Sequence, residues 1–220
     1  MKVCTDACIL GAWTAKKIGY SSINNILDIG SGTGLLSLML AQKTTAAIDA
    51  VEIDESAATQ AAENIAGSLW ANRIKVVHAS IKDFNPAVKY DLIICNPPFY
   101  EDDLRSADET KNVAKHDTAL KLNELIFCIK ENLADTGIAT ILLPFHRMAY
   151  FEKAAVGSSL FIREKLLVKQ TAKHNYFRSI ILISPVLNNE CNTTELVIHD
   201  AGRNYTEDFK LLLADYYLNL

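Results

Sequence analysis

The sequence has no long apolar run. Half of its 220 residues are hydrophobic, yet no segment reaches the roughly 18 consecutive apolar residues that a membrane-spanning helix needs. The first residues also lack the basic, then apolar, then small-residue order of a secretory signal. We therefore expect a cytoplasmic protein without a membrane partner, which can bury a full core as one domain over residues 1–220.

Cysteine pairs are also missing. The chain has five cysteines, an odd number, and no two of them are spaced as C-x-x-C. This pattern suggests neither a disulfide framework nor a zinc site. We expect reduced, mostly buried thiols and no metal.

Neither sign of charge is in large excess. The chain carries 22 Lys and Arg against 26 Asp and Glu, a formal net charge of −4 at pH 7. That balance argues against a protein that coats nucleic acid indiscriminately, but it leaves room for a local basic patch. Internal repeats, low-complexity tracts and Pro/Gly/Ser-rich linkers are absent as well, which favours one domain.

What the sequence does contain is an alternation of strands and helices. Strands are predicted over residues 26–29, 47–53, 74–78, 92–95 and 138–143, and helices over residues 35–42, 55–65 and 120–133. This alternation predicts an α/β fold with a doubly wound, mostly parallel sheet. A helix around 147–155 and two strands over 162–170 and 179–184 follow, which predicts an antiparallel hairpin at the sheet edge and seven strands in all. A short amphipathic helix is predicted before the first strand.

One strand ends abruptly at Asn96-Pro97-Pro98, ahead of Phe99 and Tyr100. The first proline keeps Asn96 out of helical dihedrals, and neither proline can donate a ladder hydrogen bond. The result is a rigid turn that presents an amide side chain, backbone carbonyls and two rings. Such a turn can hold a planar amine, but an Asn-Pro pair is often only a turn.

A second motif makes the site more specific. Asp28-Ile29-Gly30-Ser31-Gly32-Thr33-Gly34 follows the pattern of a strand, a glycine loop and a helix start. A dinucleotide loop, G-x-G-x-x-G, would need glycine where this chain has Leu35, so the spacing suits S-adenosylmethionine better. Glu52, at the end of the next strand, can accept hydrogen bonds from the two ribose hydroxyls of such a cofactor. The alternative interpretation is that Glu52 is an ordinary solvated charge in a loop. Asp28 is either an acceptor that orients the loop or a partner of the methionine amine.

The glycine loop, the strand-end acid and the Asn-Pro-Pro-Phe turn, in this order, resemble class I methyltransferases that act on exocyclic amines. The Met-Lys-Val-x-Thr-Asp start, Lys115-His116-Asp117 and the closing Tyr-Thr…Tyr-Tyr-Leu extend the resemblance over almost the whole chain. They are similar to the bacterial tRNA1(Val) adenine-37 N6-methyltransferase family. The resemblance implies transfer of methyl from S-adenosylmethionine to the N6 amine of adenine 37 in the tRNA anticodon loop.

The resemblance also implies roles for individual residues. Asn96, Pro97 and Phe99 would be catalytic, with Tyr100 contacting the substrate. The cofactor would be bound by Thr5 or Asp6, and by Asp28, Gly30, Gly32, Glu52 and Asn96. Two features differ from the family pattern. Ser80, followed by Ile81, occupies the place of the acid that often binds the cofactor adenine, with Asp83 as the alternative. The family also tends to have an aromatic segment before Met-Lys-Val, the stretch with which this sequence begins.

Two basic stretches are candidates for RNA contact. One runs from Arg163 to Arg178 and contains Lys173 and only one acid, Glu164; the other contains Lys115 and His116. We expect Lys115, His116, Lys173 and Arg178 to contact the substrate, and the alternative is an ordinary solvated face.

Other functions remain open at this stage. A transferase with the same turn could act on a protein glutamine amide or on a guanine amine of ribosomal RNA. A nicotinamide oxidoreductase is disfavoured by Leu35, and a non-catalytic binding protein would leave the Asn96 turn unexplained. We expect a monomer.

Overall fold

The computed structural model describes residues 4–18, 23–98, 122–187 and 190–219. Six helices are described there: α1 (Thr5–Ile18), α2 (Leu35–Ala41), α3 (Glu55–Ala66), α4 (Leu122–Asn132), α5 (Met148–Gly157) and α6 (Glu207–Leu213). The strands are β1 (Asn25–Ile29), β2 (Ala47–Glu52), β3 (Ile74–His78), β4 (Tyr90–Cys95), β5 (Leu133–Pro144), β6 (Phe161–Thr171), β7 (Tyr176–Ser184) and β8 (Asn192–His199).

The strands form one sheet in the order β3-β2-β1-β4-β5-β7-β6-β8. Strands β1 to β5 are parallel, whereas β7 runs antiparallel to both β5 and β6. The predicted α/β class and the mostly parallel doubly wound sheet are therefore confirmed.

The prediction of seven strands is wrong, because β8 adds an eighth strand that pairs in parallel with β6. The predicted hairpin is present as β6 and β7, but it does not form the sheet edge. β7 inserts between β5 and β6, and β8 covers the outer side of β6. Exposed polar residues fill the first half of β8, so only Leu196 and Ile198 show the alternating burial of a strand, too few positions to predict one from periodicity.

Local sequence explains where several helices begin. Asp54 caps α3 by accepting a hydrogen bond from the Ala57 N–H at 2.8 Å, and Thr206 caps α6 through the Phe209 N–H. Such caps satisfy backbone donors that the first helical turn leaves free. Helix α1 differs from the amphipathic helix expected here, because its residues 7–15 are buried without interruption.

Apolar side chains cover both faces of the sheet. One core cluster joins α1, α2, α3 and α6 to one face, with Leu10, Leu40, Ile65 and Phe209 among its members. The other joins α4 and α5 to the opposite face. Burial on both faces is what a parallel sheet requires. In the described part of the chain, no helix combines the length and hydrophobicity needed to cross a bilayer.

Candidate active site

The site is built where the winding of the sheet changes direction. β1 and β4 are hydrogen-bonded neighbours although they are not consecutive, and a crevice forms outside the carboxyl ends of such strands. The register places Ile29, the last residue of β1, beside Cys95 of β4 and Val51 of β2. The glycine loop and the Asn96 turn therefore leave the sheet at the same level.

The glycine loop uses three left-handed residues. Gly30, Gly32 and Gly34 have φ of 69°, 56° and 84°, values that side-chain-bearing residues rarely adopt. A Cβ built on Gly30 would meet no atom within 4 Å, whereas one on Gly34 would lie 3.3 Å from Ile65 Cδ1. Gly34 therefore lets α3 pack closely, and Gly30 borders open space. This open side is where a ligand can approach the backbone.

Glu52 is not a solvated loop charge, since only 8% of it is exposed. Its Oε2 accepts a hydrogen bond from the Gly32 N–H at 2.7 Å, and its Oε1 accepts one from the Asp54 N–H at 2.9 Å. These bonds hold the carboxylate against the glycine loop. Each oxygen keeps acceptor capacity for a further donor such as a hydroxyl.

Asp28 is fully buried. Its Oδ2 accepts from both the backbone N–H and the hydroxyl of Ser37, at 3.1 and 2.7 Å, while its Oδ1 has no partner. Burial raises the pKa of Asp28 to about 7, the Ser37 bonds oppose that rise, and the charge of Glu52 adds to it. The side chain is thus held from α2, with one oxygen left for another donor.

Sequence reasoning missed two serines at this site. Ser37, in the first turn of α2, fixes the Asp28 carboxyl, and the buried hydroxyl of Ser31 within the glycine loop has no hydrogen-bond partner. A hydroxyl in the first turn of the helix that follows the Asp28 strand could have indicated the contact between Ser37 and Asp28. Nothing in the sequence distinguished Ser31.

The Asn96 turn follows β4 directly. Asn96 is half-buried, Pro97 is buried and Pro98 is exposed. Burial raises the pKa of the adjacent Cys95 thiol well above its ordinary value, so this thiol stays protonated and is a poor nucleophile. The other predicted residues of this region, Phe99, Tyr100, Lys115 and His116, lie outside the described residues.

Ser80 and Ile81 begin the turn after β3. The Ser80 carbonyl accepts from the Asp83 N–H at 3.0 Å, and Ile81 packs into the core cluster on the α4 face. Both Ile81 and Asp83 line a cavity of about 760 Å³ between the segment 81–89 and helix α4. Ser80 and Asp83 stay the two predicted candidates for a contact with the cofactor adenine.

Asp6 and Arg178, predicted as cofactor and substrate contacts, form an ion pair with each other. Arg178 Nε donates to Asp6 Oδ2 at 2.7 Å and so joins α1 to β7. The start of α1 is thus fastened at the carboxyl end of the parallel strands, because Arg178 pairs with Pro144 at the end of β5.

The basic run of β6 and β7 is largely paired with acids. Lys165 contacts Glu152 at 3.1 Å and Lys169 contacts Glu195 at 2.8 Å, while Glu164 pairs with Lys17. Lys173 is exposed in the turn between the two strands. Most of the charge that the sequence concentrates here is therefore compensated locally.

Among the residues that the structure describes, no group of three or more His, Cys, Asp and Glu side chains could hold a metal ion. The polar groups at the crevice are instead backbone amides, the carboxyl groups of Asp28 and Glu52, and the amide side chain of Asn96. That set suits a nucleoside with hydroxyl and amine donors.

The fold and the site define a class I methyltransferase. A predicted O-methyltransferase from Agrobacterium tumefaciens superposes with a TM-score of 0.71 at 17% identity, over 98% of this chain and all of that one. The methyltransferase small domain family model matches residues 14–134.

Relatives with higher sequence identity show which family of this class the chain belongs to. The chain is 38% identical to the tRNA1(Val) (adenine(37)-N6)-methyltransferase of Flavobacterium psychrophilum over all of this chain and 94% of that protein. It is 39% identical to the enzyme of the same name from Dyadobacter fermentans, over 99% of this chain and 91% of that protein. The chain belongs to the tRNA1(Val) (adenine(37)-N6)-methyltransferase family.

Proposed function

We propose that this protein transfers a methyl group from S-adenosylmethionine to the N6 amine of adenine 37 in the anticodon loop of tRNA1(Val). The observation that carries the proposal is the placement of the Asn96 turn beside the glycine loop, through the pairing of Ile29 with Cys95. A nucleoside cofactor at the loop would then lie next to a group that can hold an exocyclic amine.

The residues present fit the cofactor. The open side of Gly30 leaves room for it, the partnerless Oδ1 of Asp28 can take its amine, and the fixed carboxylate of Glu52 can accept from its ribose hydroxyls. When bound, S-adenosylmethionine supplies an electrophilic methyl group on a sulfonium. The other proposed cofactor contacts are Gly32, the backbone carbonyls near Asn96, Thr5 or Asp6, and Ser80 with Ile81.

The protein's part in the reaction is to orient a weak nucleophile. The lone pair of an adenine amine is delocalised into the ring, so it attacks poorly unless it is turned out of that plane. The Asn96 side-chain oxygen and the Pro97 carbonyl, by accepting the two amine hydrogens, would turn the lone pair toward the methyl group and stabilise the charge that develops on nitrogen. Alignment of this kind can supply on the order of 7–11 kcal/mol.

No strong base is assigned to the transfer step. Asp28 is held by Ser37 on the α2 side, and the Cys95 thiol is protonated. The proton therefore leaves to solvent after the methyl group has moved. Phe99 and Tyr100 remain the predicted stacking groups for the target base, worth about 1–3 kcal/mol.

The deciding experiment is transfer of labelled methyl to unmodified tRNA, followed by nucleoside mass spectrometry, with a protein fraction treated in parallel. We expect N6-methyladenosine in the tRNA and none in a transcript that carries another base at position 37. Label confined to protein would retain the transferase chemistry but replace the substrate with a glutamine amide. Label in ribosomal RNA alone would point to the guanine-amine alternative.

A further inference from the structure

The strands beyond β4 project past the level of the Asn96 turn. Cys95 ends β4 opposite Ile141, but β5 continues to Pro144, and β7, paired with Ile141 through Ile181, extends in the same direction to Tyr176. At about 3.3 Å per residue the projection is about 10 Å for β5 and about 17 Å for β7. The projecting ends of β5 and β7, residues 142–144 and 176–180, therefore lie beside the turn that we propose to hold the target base. We call this projecting part of the sheet the wall.

Two turns lie at the top of this wall. One is the 3-10 turn Phe145–Arg147, which follows β5, and the other spans residues 172–175 between β6 and β7. The Phe145 and Tyr176 rings join them, with centroids 5.1 Å apart and planes tilted by 40°. Tyr176 is itself fixed, since its hydroxyl donates to Glu195 and the Lys169 ammonium lies 4.4 Å from its ring centroid. The aromatic pair is therefore a strut between two turns and not a free stacking surface.

Most cations of the wall are neutralised by acids on the same wall or on the helices behind it. Lys165, Lys169 and Arg178 have the partners described above. Arg147 and Lys173, one on each turn, are exposed, and no side-chain ion pair is recorded for either within the described residues. The turns themselves carry no acid, and Glu195, which accepts from Tyr176 beside one of them, is paired with Lys169 at 2.8 Å.

We infer that Arg147 and Lys173 form a phosphate clamp for the RNA substrate, set by the Phe145–Tyr176 strut on the wall beside Asn96. This inference rests on the proposed function and specifies how its substrate docks. An RNA stem-loop is the fitting occupant, because a base inserted at the Asn96 turn leaves its flanking backbone above the sheet edge, where the two cations lie. Cationic contacts to phosphate position a nucleic acid without reading its bases.

The test uses charge reversals, R147E and K173E, singly and together. Both side chains are exposed, and a negative charge at position 147 lies next to the start of α5, where the helix dipole favours it, so folding should not suffer. K75E, on the edge strand β3 at the opposite side of the sheet, is the matched control. Affinity for an unmodified tRNA1(Val) transcript is measured by fluorescence anisotropy at several salt concentrations, alongside cofactor binding.

We expect each reversal at the clamp to weaken transcript binding several-fold, and the double variant to lose more. The slope of log affinity against log salt should fall by about one for each lost phosphate contact. Cofactor binding, and the transcript affinity of K75E, should stay at the wild-type level. Neutral variants R147Q and K173Q should show the salt effect in milder form.

Wild-type affinity and salt slope in both reversals, with the tRNA still methylated, would overturn the clamp and leave the proposed function standing. A wild-type protein that methylates no tRNA would instead remove the proposed function, and the clamp with it. If K75E bound the transcript as weakly as R147E, the inference would also be overturned. The loss of affinity would then come from the protein's total charge and not from the two turns.

Discussion

At the scale of single residues, Asn96 is the side chain on which the chemistry depends. In Asn96→Ala the amine would lose one of its two acceptors, so we expect turnover to fall by about 10²–10³, the usual effect of removing one transition-state hydrogen bond. Cofactor affinity should stay within a few-fold of wild type, because the substitution keeps the backbone carbonyls that we assign to the cofactor. Steady-state kinetics with tRNA and calorimetry with the cofactor measure the two effects separately.

Asn72→Ala is the matched control for that substitution, because Asn72 is exposed near the opposite edge of the sheet, just before β3. It should retain wild-type turnover. A fully active Asn96→Ala variant would show that the amide does not hold the target amine.

Asp28 makes the stability of the free protein depend on pH. Its pKa is raised from 3.8 to about 7 on folding, so the folded state keeps a proton that the unfolded state has lost over this range. Stability from this group therefore falls as pH rises from about 4 to about 7 and stays low above that. Asp28→Asn cannot ionise, so its melting temperature relative to wild type should rise by several degrees between about pH 5 and about pH 8.

Differential scanning calorimetry of both proteins across this range, without ligand, is the measurement. The change of hydrogen bonding in Asp28→Asn also shifts the melting temperature, but by an amount that does not vary with pH. A difference in melting temperature that is the same at both pH values would contradict the raised pKa.

At the scale of elements, the ion pair between Asp6 and Arg178 fastens α1 to β7. Both side chains are mostly buried, with 21% and 30% of their surface exposed. We expect a double-mutant cycle with Asp6→Asn and Arg178→Ala, followed by urea unfolding, to give a coupling energy of about 1 kcal/mol. The two residues are far apart in the sequence, and their ion pair is a contact between α1 and the sheet. Breaking the pair therefore loosens α1 from the sheet.

The same two variants separate this structural role from the predicted role of Arg178 in RNA binding. A purely structural pair predicts a loss of stability and unchanged tRNA affinity in both variants. If Arg178→Ala weakened tRNA binding while Asp6→Asn did not, Arg178 would contact the substrate as the sequence suggested.

The elements that the sequence predicted well are those with a single strong pattern. The buried runs of β1, β2 and β4 and the alanine-rich α3 lie within a few residues of their predicted bounds. Helix α1 was expected to have a polar face, but α2, α6 and β5 all pack against it, and periodicity does not record such tertiary contacts. The edge strand β8 was not predicted for a similar reason. The residues at its start pair with β6 through the backbone but bury little side-chain surface.

At the scale of the whole molecule, the sheet brings the glycine loop and the Asn96 turn together, because the carboxyl ends of the neighbouring parallel strands β1 and β4 meet at one edge. What the order of motifs could not show was pairing between distant residues. The ion pairs of Lys165, Lys169 and Arg178 with Glu152, Glu195 and Asp6 join positions far apart in the chain. A basic stretch in the sequence thus became a mostly neutral surface, while Lys173 in the turn kept its exposed charge.

The choice of cofactor can be tested on the whole molecule through its melting temperature. A ligand at about a hundredfold excess over its dissociation constant stabilises the folded state by about 2.7 kcal/mol, which in a chain of this size raises the melting temperature by about 5–10 °C. S-adenosylmethionine should produce this shift and NAD should not, since Leu35 replaces the glycine that a dinucleotide loop needs. Gly30→Ala should lose the shift because its new Cβ projects into the open side of the loop, whereas an equal shift with NAD would contradict the assignment of the glycine loop.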